Sequence, residues 1–140
     1  MSLFSVFSIS GSGMSAESQR LTAVASNLAN ANSVANSSGQ PYRAREVVFR
    51  AVSPDGGGGG GAADTGMAGV EVAGVVTSPA PLRRTYDPSN PFADAHGYVA
   101  MPNVNPIDEI VNMISAQRDY QADLDAFNVA KTLMMKTLSI

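Results

Sequence analysis

Cysteine is absent from this chain of 140 residues. That rules out a disulfide framework, a thiol nucleophile and a cysteine-ligated zinc. Basic charge is short as well: nine Lys and Arg stand against twelve Asp and Glu, a net charge of −3. The basic footprint on which non-specific nucleic-acid binding depends is missing, so no nucleic-acid partner is expected. No apolar run approaches the roughly 18 residues of a spanning helix, so direct membrane insertion is not expected either. The first stretch, MSLFSVFSISGSGM, has no basic n-region and its apolar residues are broken by serines. It does not read as a cleaved signal peptide.

Proline is missing from residues 1–40 and 107–140, and all eight prolines lie between Pro41 and Pro106. Long helices require such stretches. In the first, Phe7, Met14, Leu21 and Leu28 recur every seven residues, and Phe4, Gly11, Ser18 and Ala25 fill the positions three before them. This is a seam of alternating large and small residues. From Met1 to Gln40 only Glu17 and Arg20 are charged. A solvated helix face normally carries charge, so the reading is a helix covered on several sides by other polypeptide. A plain amphipathic helix on the core of its own domain is the alternative. The stretch NLANANS (27–33) sharpens the question, because Asn27, Asn30 and Asn32 suit neither open water nor an apolar core. Asn30 and Asn32 also suit a helix C-terminus.

The last stretch opens with a helix start signal. Asn105 is the cap, Pro106 fits the first helical position, and Asp108 and Glu109 suit the positive pole. Lys131 and Lys136 complement the other end. The seam reads Ile110, Gln117, Leu124, Lys131 and Leu138, with Met113, Tyr120, Phe127 and Met134. A third row, Ile107, Ile114, Gln121, Asn128 and Met135, widens it. A helix to Leu138 is roughly 50 Å long. Arg118, Asp119, Asp123 and Asp125 read either as a solvated face or as partner-facing ion pairs.

Between the helices, alternation predicts strands over 42–52, 69–77, 82–87 and 97–101. Residues 87–97 (DPSNPFADAHG) are turn-rich and predict an ordered loop. Six consecutive glycines, Gly56 to Gly61, predict a mobile tip over 55–66. The fold class is mainly α with a β-rich middle: two long terminal helices paired as an antiparallel coiled coil, plus a small β insertion. Residues 1–36 and 103–140 form the helical domain, and 37–102 the β-rich one.

No catalytic constellation emerges. SGSGMS (10–15) lacks the lysine of a P-loop and the third glycine of a dinucleotide loop. His96 is the single histidine, and no GxSxG elbow supplies a serine for it. Asp87, Asp94 and His96 lack a recognised metal-ligand spacing. The chain is expected to be neither an enzyme nor a holder of cofactors or metals.

Two terminal motifs carry a resemblance. SGSGMSAESQRLTAVASNLANANS followed by GQPYRAREVVF resembles the N-terminal signature of the flagellar rod, hook and hook–filament junction proteins. MPNVNPIDEIVNMISAQRDYQADLDAFNVAKTLMMKTLSI resembles their C-terminal signature, and YDPSNPFADAHGYVAMPNVN is similar to the proximal-rod branch of that axial family. The resemblance spans nearly the whole chain apart from 53–67. Relatives usually read YQAN where this chain has Tyr120-Gln121-Ala122-Asp123.

The resemblance implies a structural subunit of the bacterial flagellar drive shaft, exported by the type III apparatus without a cleaved signal and located in the rod that crosses the periplasm. It implies assembly with other rod proteins and copies of itself, and contact with rod-base adaptor and membrane-ring proteins. The assembly interface would comprise the seam residues Phe4, Phe7, Gly11, Met14, Leu21, Ala25 and Leu28, the amides Asn27, Asn30 and Asn32, and on the second helix Ile110, Met113, Ile114, Gln117, Tyr120, Gln121, Leu124, Phe127, Met134 and Leu138. A self-contained binding module with a helical stalk is the alternative.

Overall fold

The proline-free ends form the two helices, α1 over Leu3–Asn30 and α2 over Pro106–Leu138. The computed structural model describes residues 3–34, 40–52 and 69–138. At the end of α1, Asn30 folds its amide back onto the Ser26 carbonyl at 2.8 Å, and the Ser33 N–H donates to the Asn30 carbonyl at 3.1 Å. The second bond satisfies a carbonyl that the helix end would otherwise leave open. At the start of α2, Asn105 Oδ1 accepts the Ile107 N–H at 3.2 Å and its Nδ2 donates to Asp108 at 2.8 Å. The cap and the Pro106 start read from the sequence are both present.

Four strands lie between the helices. β1 (Arg45–Val52) and β2 (Gly69–Thr77) pair antiparallel, with Arg45 opposite Thr77 and Val52 opposite Gly69. The register slips between Val48 and Phe49. β3 (Arg83–Tyr86) and β4 (Tyr98–Met101) form a second two-stranded ribbon, with Tyr86 opposite Tyr98. The strand predictions hold to within three residues at each end. The predicted glycine tip lies outside the described residues.

The loop between β3 and β4 is held by its aspartates. Asp94 Oδ1 accepts the N–H groups of His96 and Tyr98 at 2.8 and 2.9 Å, and Asp87 Oδ1 accepts the Ser89 hydroxyl at 2.7 Å. Those bonds hold both carboxyls below the usual carboxylate range. Gly97 closes the turn at φ +79°, with no room for a Cβ beside the Tyr86 ring.

The β1–β2 ribbon lies along α1. Ser12 Oγ donates to the Ile9 carbonyl at 2.7 Å and accepts the Val70 N–H at 3.0 Å, fixing the start of β2 on the helix. The other side of α1 meets α2, and the meetings run in opposite directions along the two. Phe7 packs edge-on against Phe127 with centroids 4.6 Å apart, Gly13 lies under Asp123, Arg20 reaches Asp119 at 3.4 Å, and Asn27 reaches Glu109 at 3.2 Å.

The seam differs from the sequence reading in one row. Met113, Phe127 and Met134 are half-buried and Tyr120 lies at the edge, as that row requires, but its companion is Glu109, Ala116, Asp123 and Ala130. Ile110, Gln117, Lys131 and Leu138 are exposed, and only Leu124 of that row is half-buried. Ile107, Ile114, Gln121, Asn128 and Met135 are all exposed. The reason is size: Ala116 is fully buried and Ala130 nearly so, and small side chains let two helices approach where larger ones hold them apart. On α1, Phe7, Met14, Leu21 and Leu28 are half-buried, while Phe4, Ser18 and Ala25 are exposed. Nothing stands within 4 Å of the place a Cβ would take on Gly11.

The interior is thin. Apart from Pro102, the buried apolar side chains among the described residues are alanines and valines: Ala16, Val24, Ala31, Ala44, Val99, Val104, Ala116 and Ala130. Every Phe, Ile, Leu and Met from Phe4 onward among the described residues keeps part of its surface open.

Candidate assembly interface

Two asparagines fasten the helices to the strands. Asn27, 1% exposed, holds the first turn of β1 by its main chain: Oδ1 accepts the Arg45 N–H and Nδ2 donates to the Arg45 carbonyl, both at 2.9 Å. Its Oδ1 also accepts the Tyr42 hydroxyl at 2.9 Å, and its Nδ2 donates to Glu109 Oε2 on α2 at 3.2 Å. An amide offers a donor and an acceptor side by side, so it pairs with a peptide group much as a strand does.

Asn103 repeats the device from the other side. Its Oδ1 accepts the Ala44 N–H at 2.8 Å, and its Nδ2 donates to the Ala80 carbonyl at 3.0 Å. The Ser78 N–H completes the clamp by donating to the Ala44 carbonyl at 2.8 Å. Beneath lie Ala31, Ala44 and Val104, with Tyr42 packed against them. Sequence reasoning placed Asn27 at a surface shared with neighbours; within the chain, the Tyr42–Arg45 segment folds back and takes up the amide. Asn103 was missed, because a lone asparagine before a helix gives no sign that its partners are main-chain atoms. Of the other two amides, Asn30 turns back on its own helix and Asn32 is exposed.

Charge gathers where α1 meets α2. Burial raises the Glu109 carboxyl, the Asn27 amide opposes that, and Glu46 and Asp108 add to it. Arg20 Nη1 lies 3.3 Å from Glu17 and 3.4 Å from Asp119. Asp119, though exposed, reaches Arg20, and the half-buried Asp123 covers Gly13, whereas Arg118 and Asp125 are exposed and, among the described residues, have no partner on α1. The only histidine, His96, is exposed in the β3–β4 loop. Among the described residues no group of three or more His, Asp and Glu is placed to hold a metal. No described helix is long and apolar enough to cross a membrane.

With α1 and α2 mated along one side, their outer sides carry the remaining predicted interface residues. On α2 these are Ile110, Ile114, Gln117, Gln121 and Leu138, together with Ile107 at 71% exposure and Val111 at 61%. Leu138 is 81% exposed and Phe4, at the same end of the helix pair, 74%. The outer stripe of α1 is Ser8, Ser15, Ser18, Thr22, Ala25 and Ala29, small and uncharged. One helix thus turns large apolar side chains outward, and the other, beyond Phe4, small uncharged ones.

Residues 7–36 match the family described as Flagella basal body rod protein, and residues 95–140 match the one described as Flagellar basal body rod FlgEFG protein C-terminal. Among curated proteins the chain is 51% identical to the flagellar basal-body rod protein FlgC of Yersinia enterocolitica and 50% identical to that of Escherichia coli O6:H1. It is 48% identical to the protein of the same name from Salmonella typhimurium. In each case the alignment covers 100% of this chain and 98% of the relative.

Proposed function

The chain belongs to the FlgC family of flagellar basal-body rod proteins, and from that premise we propose that it is a structural subunit of the rod in the flagellar basal body. It polymerises through its terminal helices and transmits torque through contacts between subunits. The observation that carries this reading is the outer side of the helix pair. Its large apolar residues remain open although the inner sides are already mated, and among the described residues no buried side chain is larger than valine. An apolar helix face of that kind marks a protein–protein surface. Its neighbours are other rod proteins and copies of itself, joined by contacts that repeat without closing, as a helical assembly needs. α1 and α2 act as an antiparallel coiled coil, with residues 37–102 as a separate β-rich part. Rod-base adaptors, membrane rings and the export apparatus are the further partners, and the rod's place across the periplasm is reached without a cleaved signal. The work is mechanical, and no bond is made or broken.

Ile114→Glu tests it. The side chain is half open, so the isolated chain should keep its circular dichroism and its melting temperature. In a strain lacking its own copy, the variant should yield no basal bodies and no swimming. Normal swimming with the variant as sole copy would overturn the reading.

A further inference from the structure

Three carboxylates and one cation share the middle of the α1–α2 seam. Asp123 occupies the space left by the missing Cβ of Gly13, where a methyl group would collide with the carboxylate. One turn along, Arg20 is divided between Glu17 and Asp119 at 3.3 and 3.4 Å. The Ser115 hydroxyl donates weakly to Asp119 at 3.4 Å. Among the described residues Asp123 has no ion pair.

The charged groups that face this cluster are Glu17 and Arg20 from α1, and Asp119 and Asp123 from α2. On the ribbon side of α1, Arg50 and Glu71 pair with each other at 3.0 Å, and Arg45 and Glu46 lie toward Asn27 and Glu109. Ionised, the cluster holds three negative charges against one positive charge, in a seam that strips part of the water from Asp123.

We propose that the α1–α2 seam is an acid-tightened clasp, in which proton uptake by Asp123 and Glu17 draws the two helices together and proton loss loosens them. Both carboxyls are raised, Asp123 by burial and then by Asp119, Glu17 by burial against the opposing pull of Arg20. A raised carboxyl binds its proton more tightly in the paired state than in the separated one. Pairing is therefore favoured at and below the ordinary carboxylate range and weakens as pH rises through the raised value. The helices that carry the open apolar faces are thus held together to a degree set by the surrounding pH.

Hydrogen exchange on the full-length chain at about pH 4 and about pH 8, corrected for intrinsic exchange rates, reads the clasp directly. The expected result is protection of residues 3–30 and 106–138 about tenfold greater at the lower pH. Asp123→Asn keeps the shape and removes the charge. It should raise protection at the higher pH and abolish most of the difference, and Glu17→Gln should abolish part of it. Equal protection of the wild-type helices at both pH values, including none at either, overturns the proposal. So does a pH difference that survives Asp123→Asn unchanged.

Discussion

Replacing Asn27 by leucine removes four hydrogen bonds and puts an apolar side chain of the same branching and somewhat larger volume in their place. Two of the four serve the Arg45 peptide N–H and carbonyl, at a residue pair where the amide is 1% exposed. A buried backbone group left without a partner costs about 1–3 kcal/mol, so the two together cost roughly 2–6 kcal/mol. Loss of the Tyr42 hydroxyl and Glu109 bonds adds to this, and the leucine's own burial offsets part. The net expectation is a loss of about 3 kcal/mol, a large fraction of the roughly 5–15 kcal/mol that holds a domain folded. Urea unfolding followed by circular dichroism measures it as a lower midpoint. Tyr42→Phe alone should cost about 1 kcal/mol and cost almost nothing more in the Asn27→Leu background, since one bond is lost in both. A leucine variant within about 0.5 kcal/mol of wild type would refute the reasoning, for surface substitutions fall in that range and a filled clamp would not.

The two early glycines should respond to alanine with opposite signs. Gly11→Ala meets open space and should stabilise the helix by about 0.5–1 kcal/mol, whereas Gly13→Ala drives a methyl into Asp123 and should lower the melting temperature despite the better helix former. Glu109→Gln keeps an acceptor for Asn27 and removes the repulsion from Glu46 and Asp108. Because the carboxyl is raised, its ionised form weakens the native state, so the variant should melt higher than wild type near neutral pH and equal to it below the ordinary carboxylate range. His96→Ala should leave swimming intact, as an exposed loop side chain with no part in either ribbon; a non-swimming strain with normal basal bodies would count against a purely mechanical role.

The elements were legible where chemistry acts locally. Pro106 after Asn105 marked the start of α2, and alternation in REVVFRAV and GVEVAGVVT marked β1 and β2. The terminal motifs carried the family. Half of the α2 seam was legible because Met113, Phe127 and Met134 are large and apolar. The other half was not, since Ala116 and Ala130 look unremarkable beside Ile110 and Ile114, and burial at a close helix crossing favours the smaller side chain. Asp123 was legible as a charge but not as the cover of Gly13, a relation that only the antiparallel meeting of the helices creates. Asn27 resisted because its partner is a peptide group 18 positions away, and a peptide group has no letter in the sequence.

That last point has an evolutionary side. Asn27 and Asn103 grip the main chain of Ala44 and Arg45 through bonds that use no side-chain atom of either. The main-chain bonds of the joint therefore do not depend on which side chain stands at the exposed position 45, although Arg45 also lies over the Tyr42 ring at 5.8 Å, while each asparagine is irreplaceable by any residue without both a donor and an acceptor at that reach. Drift can recolour the outer surface of the joint, and with it the neighbours a chain prefers, while the hinge between helix and ribbon stays locked.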